Sequence, residues 1–222
     1  MRILNYQRMS TEDGPGLRTT LFVKGCPLRC AWCHNPESID LSSSVEWIKV
    51  RCICCQSCKS SCPNGAVTVE TEGIKIDAEK CARCFKCVEA CPTGALERRG
   101  EELSVEEVFG ELIKDRAYFG AQGGVTLSGG EIMLQSREAA ELLKMLKDAG
   151  ISTAIDTSGF CKREDIERVL PYTDLVLYDL KLADSARHEK WTEVPNERIL
   201  ENFEYLAEIR RTRPNLGLWV RT

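Results

Sequence analysis

Residues 52–69, CICCQSCKSSCPNGAVTV, and residues 81–98, CARCFKCVEACPTGALER, carry one pattern written twice, 29 positions apart. Both fit C-x2-C-x2-C-x3-C-P without a gap. The first run uses Cys52, Cys55, Cys58 and Cys62 before Pro63, and the second uses Cys81, Cys84, Cys87 and Cys91 before Pro92. No helix or strand of a hydrophobic core needs thiols at such density. A repeat of this kind marks a compact module of its own. We expect it at 49–99, inserted into a larger domain formed by 1–48 and 100–222.

The spacing is that of two-cluster bacterial ferredoxins, in which the fourth cysteine of each run ligates the other cluster. It assigns one [4Fe–4S] cluster to Cys52, Cys55, Cys58 and Cys91, and the other to Cys81, Cys84, Cys87 and Cys62. A zinc ribbon needs two C-x2-C pairs and gives no reason for a fourth Cys-Pro. Cys54 falls outside the pattern and is expected either as a buried thiol or as one beside a cluster that does not ligate it. The opening MRILNYQRMSTEDGPG lacks the apolar stretch of a signal peptide, so a reducing cytoplasm is expected. There, 13 cysteines, an odd number, point to metal rather than to disulfides. With a net charge of −4 and no long apolar run, neither nucleic acid nor a membrane is expected as a partner.

Outside the insert, strand and helix patterns alternate. Strands are expected at 19–24 (TTLFVK), 124–128, 151–158, 174–181 and 216–222. Helices are expected at 104–116, where Ser104 and Glu107 form a capping box, and at 136–150, with Ser136 as N-cap and Gly150 past the end. A short helix within 163–172 and a long one at 196–212 complete the series. Alternation of this kind implies a parallel sheet. In such sheets the functional residues sit beyond the carboxyl ends of the strands.

One motif stands at such a place. KGCPLRCAWCHNPES, 24–38, follows the first strand and sets Cys26, Cys30 and Cys33 at C-x3-C-x2-C, with His34 next. A zinc site would need Cys33 and His34, adjacent in the chain, to turn onto one metal. CAWCH also fits C-x-x-C-H, the haem attachment motif, which belongs with exported proteins. The remaining reading is an iron–sulfur cluster with three protein ligands and one open iron, able to bind a small molecule as an open zinc position does.

Here a resemblance enters. C-x3-C-x2-C after a first strand resembles the signature of radical S-adenosylmethionine (SAM) enzymes. STEDGPGLRTTLFVKGCPLRCAWCHNPES at 10–38, SGGE at 128–131, DTSG at 156–159 and DLK at 179–181 together resemble the activating enzymes of glycyl radical enzymes. The resemblance covers essentially the whole chain, including the double insert. It implies an α/β fold: a partial (βα)6 radical-SAM barrel, its C-terminal part absent from this chain, with an inserted α+β ferredoxin-like domain. It departs from the family in Ile132, where Pro is usual, and in lacking the P-x-I-P-G segment and later histidine of the SAM pocket.

The resemblance also implies roles. Cys26, Cys30 and Cys33 would hold the catalytic [4Fe–4S] cluster, the third in the chain, and SAM would chelate its open iron. Trp32 and His34 would line the cofactor. Gly129, Gly130 and Glu131 would meet the methionine amino group, where glycines allow close backbone approach and a carboxylate suits an ammonium. Asp179 and Lys181 would reach the ribose or carboxylate, and Asp156 with Thr157 would hold a monovalent cation. The activity implied is that of an oxidoreductase working anaerobically. An external reductant such as flavodoxin or ferredoxin supplies an electron, SAM is cleaved, and the 5′-deoxyadenosyl radical takes hydrogen from a glycine of a partner enzyme. Competing readings are an electron-transfer polyferredoxin and a radical SAM enzyme acting on a small molecule or another peptide. Asp13 and Arg18 lie in the opening that carries the resemblance, with a turn or surface role as the alternative for each, and Cys161 is expected to be structural.

Overall fold

The computed structural model describes residues 1–70 and 73–222. The chain divides into two compact units, Met1–Leu41 with Glu102–Thr222, and Ser42–Glu101. In chain order, β1 (Arg2–Ser10) runs antiparallel to β2 (Arg18–Val23). The second unit then supplies β3 (Ser44–Trp47), α1 (Ser57–Ser61), β4 (Val67–Glu70), β5 (Gly73–Ile76), α2 (Lys86–Glu89) and β6 (Leu96–Arg99). The chain returns through the two-residue β7 (Glu101–Glu102) and α3 (Val105–Ile113). Alternation follows: β8 (Gly124–Gly129), α4 (Ser136–Asp148), β9 (Ser152–Thr157), α5 (Arg163–Val169), β10 (Leu175–Asp179), α6 (Ser185–Thr192), α7 (Glu197–Thr212) and β11 (Gly217–Arg221).

The main sheet has the order β11-β10-β9-β8-β2-β1-β7, and β2, β8, β9, β10 and β11 are mutually parallel. Side chains of a strand alternate between faces. Leu21, Val23, Val125, Leu127, Ile155, Val176 and Tyr178 turn to the helix side and pack with Leu112, Leu142, Leu143, Leu146, Ile166 and Val169. Each such aliphatic side chain stabilises the fold by roughly 1.5–3 kcal/mol. The intervening residues face the other way and are more polar. Arg18, 1% exposed, donates to the Thr126 hydroxyl at 2.7 Å and to the Val125 carbonyl at 2.7 Å. Asp13 accepts from Ser10 and Thr20 at 2.7 and 2.6 Å. Arg18 is thus a buried pin of the sheet.

Because the strands are parallel, their carboxyl ends fall on one edge. Val23 stands beside Gly129, Tyr178 beside Thr157 and Asp179 beside Arg221. The three-cysteine loop, SGGE, DTSG and DLK all stand at that edge.

The capping box at Ser104 and Glu107 is present, with both reciprocal bonds. Ser136 is instead the first helical residue of α4. Its hydroxyl bridges Asp165 and Arg168, and the position before it is Gln135, whose side chain ties β1 to β2. Neither β1 nor α6 is among the elements expected from the sequence. β1 buries only Ile3 and Ser10, so it has no apolar stripe, and its partner β2 defines it.

The second unit starts earlier and ends slightly later than the expected 49–99, because β6 pairs with β3, Trp47 lying opposite Leu96. β4 and β5 form a hairpin of their own. The sequence repeat is also a backbone repeat: Cys54, Gln56 and Gly65 take positive φ, and so do Arg83, Phe85 and Gly94, each 29 residues later. Non-glycine residues adopt that region rarely. Its small core is Cys58, Val67, Cys87 and Leu96, with Trp47 and Ile74 beside them. Among the described residues no helix is long and apolar enough to cross a membrane.

Candidate active site

The loop after β2 is held at both ends by backbone hydrogen bonds. Gly25 N–H donates to the Ser38 carbonyl at 2.7 Å, and Cys26 N–H to that of Ile39 at 2.9 Å. Further on, Arg29 and Ala31 donate to the Thr192 and Trp191 carbonyls at 2.8 and 3.0 Å, and Cys33 closes a turn onto Cys30. The Arg29 guanidinium also reaches the Cys26 carbonyl at 2.7 Å. The three thiols consequently sit on a braced loop, not a loose one.

They face a cavity of about 740 Å³. Trp32 and His34 line it from the same loop, with Gly129 and Gly130 after β8, Asp156 and Thr157 at the end of β9, and Asp179 and Lys181 at the end of β10. Asp13, Phe22, Leu28 and Arg221 are also in its wall. The glycines are there for contact. A Cβ on Gly129, at φ +112°, would lie 2.2 Å from the Val23 nitrogen, and one on Gly130 would lie 2.1 Å from the Gly25 carbonyl oxygen. No other residue lets the turn after β8 press so closely on the cysteine loop.

Glu131 departs from expectation. It does not line the cavity. Its carboxylate is buried, 1% exposed, behind the glycine turn. One oxygen accepts from the Thr157 hydroxyl at 2.7 Å and Met133 N–H at 3.2 Å. The other accepts from Ser158 N–H at 2.9 Å and the Ser158 hydroxyl at 2.6 Å. With every oxygen engaged, Glu131 is a staple between the loops after β8 and β9.

The far wall is charged. Lys181 pairs with Asp179 at 3.1 Å, and Arg221 approaches Asp179, Asp156 and Asp13 at 3.5, 3.6 and 3.7 Å. Ser128 donates to one Asp156 oxygen at 2.7 Å. The other oxygen is buried without a hydrogen-bond partner. Burial, then the nearby Asp179, pushes the Asp156 carboxyl up to about 7. Burial lowers Lys181, but Asp179 outweighs it and leaves the ammonium favoured. Burial pushes the Cys26 thiol up to about 12 and raises Cys30 as well. These thiols stay protonated unless a cationic centre takes the proton's place.

The donor set fits an iron–sulfur cluster with a small zwitterion bound beside it. Three thiols turn toward one cavity, an ammonium and a glycine backbone stand across from them, and one buried carboxylate oxygen lacks a donor. The volume lies within the usual range for small-ligand sites.

In the second unit, Cys62, Cys81, Cys84 and Cys87 line one pocket, and Cys52, Cys55, Cys58 and Cys91 line another. Each set takes its fourth cysteine from the opposite repeat. Ala66 N–H donates to Cys62 Sγ and Ala95 N–H to Cys91 Sγ, both at 3.2 Å. Burial raises these two thiols slightly, but the backbone donors outweigh it and leave the thiolates favoured. Cys54 is exposed and lines the second pocket, so of its two expected places the buried one is not taken. Cys161 is buried near the Gly159 carbonyl.

Comparison with known proteins agrees with this geometry. The radical SAM superfamily pattern matches residues 20–217. The trans-4-hydroxy-L-proline dehydratase activating enzyme of Clostridioides difficile is 46% identical over 209 residues, 93% of this chain and 69% of that protein. The (2S)-3-sulfopropanediol dehydratase activating enzyme of Klebsiella oxytoca is 42% identical, over 94% of this chain and 68% of its own length. The choline trimethylamine-lyase activating enzyme of Oleidesulfovibrio alaskensis is 41% identical, over 93% and 68%. The chain belongs to the radical SAM superfamily and, within it, to the activating enzymes of glycyl radical enzymes.

Proposed function

We propose that this chain installs a radical on a glycine of a partner glycyl radical enzyme, using a [4Fe–4S] cluster held by Cys26, Cys30 and Cys33 and SAM bound in the cavity they face. The single observation that carries this is the convergence, on one strand edge, of three thiols, a glycine turn and a charged wall around one cavity. Bound there, cluster and SAM supply one-electron chemistry that ends in hydrogen abstraction from a glycine Cα.

The protein's own residues bind and orient. Lys181 offers an ammonium to a carboxylate, and the Gly129–Gly130 backbone offers its polar atoms to an amino group. Asp179 stands at the same strand end for a ribose hydroxyl. Asp156, with one unpartnered oxygen, and Thr157 suit a monovalent cation, which would hold the Asp156 carboxylate ionised. Trp32 and His34 stand on the wall from the cysteine loop, and Phe22 and Leu28 add apolar side chains to it.

The parallel sheet is read as the leading part of a (βα)6 barrel, and 42–101 as a ferredoxin-like insert with two further [4Fe–4S] clusters. Swapped fourth cysteines in the two pockets support this. An outside reductant, a flavodoxin or ferredoxin in an anaerobic cytoplasm, would charge the clusters.

Anaerobic reconstitution tests the reading. About twelve irons per chain and an EPR signal altered by SAM are expected for three cubanes. About eight irons and no response to SAM would favour a pure electron-transfer protein. Cys30→Ala should abolish 5′-deoxyadenosine formation, and intact formation would sink the proposal.

A further inference from the structure

Cys30 hangs between two hydrogen bonds that its own loop does not supply. The residues flanking it, Arg29 and Ala31, donate their N–H groups to the carbonyls of Thr192 and Trp191, at 2.8 and 3.0 Å. Those carbonyls belong to the last turn of α6, where helix geometry leaves carbonyls without intrahelical partners. In most helices water takes them. Here the cysteine loop does.

The aim of these carbonyls is set by a buried knot. Glu193 takes the left-handed conformation, φ +63°, and reverses the chain just past Thr192. His188 and Thr192, 1% and 0% exposed, lie one turn apart beneath the reversal. His188 Nδ1 is 2.7 Å from the Val194 carbonyl and 3.0 Å from the Thr192 hydroxyl. A carbonyl only accepts, so Nδ1 carries the proton. The Thr192 hydroxyl donates in turn to the His188 carbonyl at 2.8 Å. Nε2 is buried and, among the described residues, without a hydrogen-bond partner. The ring is therefore a strut that works through one N–H, tying the helix to the stretch of chain beyond the reversal. At the other end of this segment Asn196 donates to the Leu182 and Ala183 carbonyls, both at 2.9 Å, which closes 182–196 on itself.

We propose that His188 is a positioning residue for the catalytic thiolates: through its Nδ1–H to Val194 it fixes the α6 terminus whose two carbonyls hold the backbone on either side of Cys30. This rests on the assignment of Cys26, Cys30 and Cys33 to the catalytic cluster. His188 touches neither cluster nor cofactor and acts only through the loop. The consequence is selective. Loss of the strut should loosen one metal site of three, leaving the two in the cysteine repeat unaffected.

Two substitutions separate positioning from space filling. His188→Phe keeps a ring of similar volume but has no donor; His188→Asn gives up volume but can offer an amide N–H to Val194. Both are reconstituted anaerobically beside the parent chain and read by iron content and by the EPR response to SAM. Positioning predicts that His188→Phe falls from about twelve irons to about eight and loses the response, while His188→Asn restores most of both. The reverse order, or two variants indistinguishable from the parent, overturns the proposal. If the parent itself holds only about eight irons, the cluster assignment fails instead, which is a separate result. Should His188→Phe not fold, hydrogen exchange in Thr192→Val serves. It should speed exchange over 27–33 about tenfold and leave β8 and α4 unchanged, since one bracing hydroxyl is lost. Unaltered exchange at 27–33 refutes the clamp.

Discussion

Replacing Glu131 distinguishes a staple from a ligand. Its two oxygens receive four hydrogen bonds, from Thr157, Met133 and twice from Ser158. In Glu131→Gln one oxygen becomes an NH2 group. The better place for it is the side of the longest bond, the 3.2 Å contact with Met133. The Thr157 hydroxyl can rotate to accept, but Met133 N–H then faces another donor. A buried unsatisfied donor costs about 1–3 kcal/mol. Removing a carboxyl that burial pushes up offsets part of this, so a net loss of about 1–2 kcal/mol is expected. In Glu131→Ala all four donors lose their acceptor and a cavity opens, and about 4 kcal/mol or more is expected. Anaerobic urea unfolding gives the stabilities, and EPR with titrated SAM gives affinity. The staple predicts that the two variants lose stability in this order and that SAM binding weakens in step with it. If Glu131→Gln kept its stability within about 0.5 kcal/mol yet lost SAM binding, the carboxylate would contact the cofactor and the reasoning would be wrong.

Three further outcomes follow from the same contacts. Burial raises the Asp174 carboxyl, but Lys147 at 2.6 Å and the Thr153 N–H outweigh it and leave the group below its ordinary range. A depressed carboxyl contributes stability that is whole above the unfolded-chain value of about 4 and lost as pH falls through the folded one. Asp174→Asn should therefore flatten the acid limb of urea midpoints taken from pH 6 to 3, and parallel limbs would count against it. Iron chelation should unfold 42–101 selectively, because its small buried cluster includes Cys58 and Cys87, both ligand candidates; limited proteolysis should cut there before α4 or α5, and equal cutting would contradict this. Glu193→Gly should raise stability by about 1 kcal/mol by relieving a left-handed side chain at a helix end, read as a higher urea midpoint.

Spacing alone was enough to expect both cysteine groups and their crossed assignment, because ligand spacing is a local property of the chain. The five parallel strands were legible from β-branched runs between helix signals, and Ser104 with Glu107 marked a helix start correctly. β1, the place of Ser136 and the direction of Glu131 were not legible, each for a definite reason. β1 has no apolar stripe, so only pairing with β2 makes it a strand. Ser136 satisfies the N-cap preference, yet Asp165 and Arg168, some thirty residues on, claim its hydroxyl. Glu131 sits in a motif whose chemistry suits an ammonium. Its direction is decided by Thr157 and Ser158 at and just past the end of the next strand, which turn it from the cavity into the wall.

The sequence by itself determined the chemistry this protein can carry: which thiols, at what spacing, at the end of which strand. Tertiary structure alone decided which polar groups face the cavity and which support it. Spacing is written in the covalent chain, whereas the direction of a carboxylate or the brace on Cys30 is set by hydrogen bonds to residues 26 to 163 positions away. Lone pairs and N–H groups find those partners only once the strands are side by side.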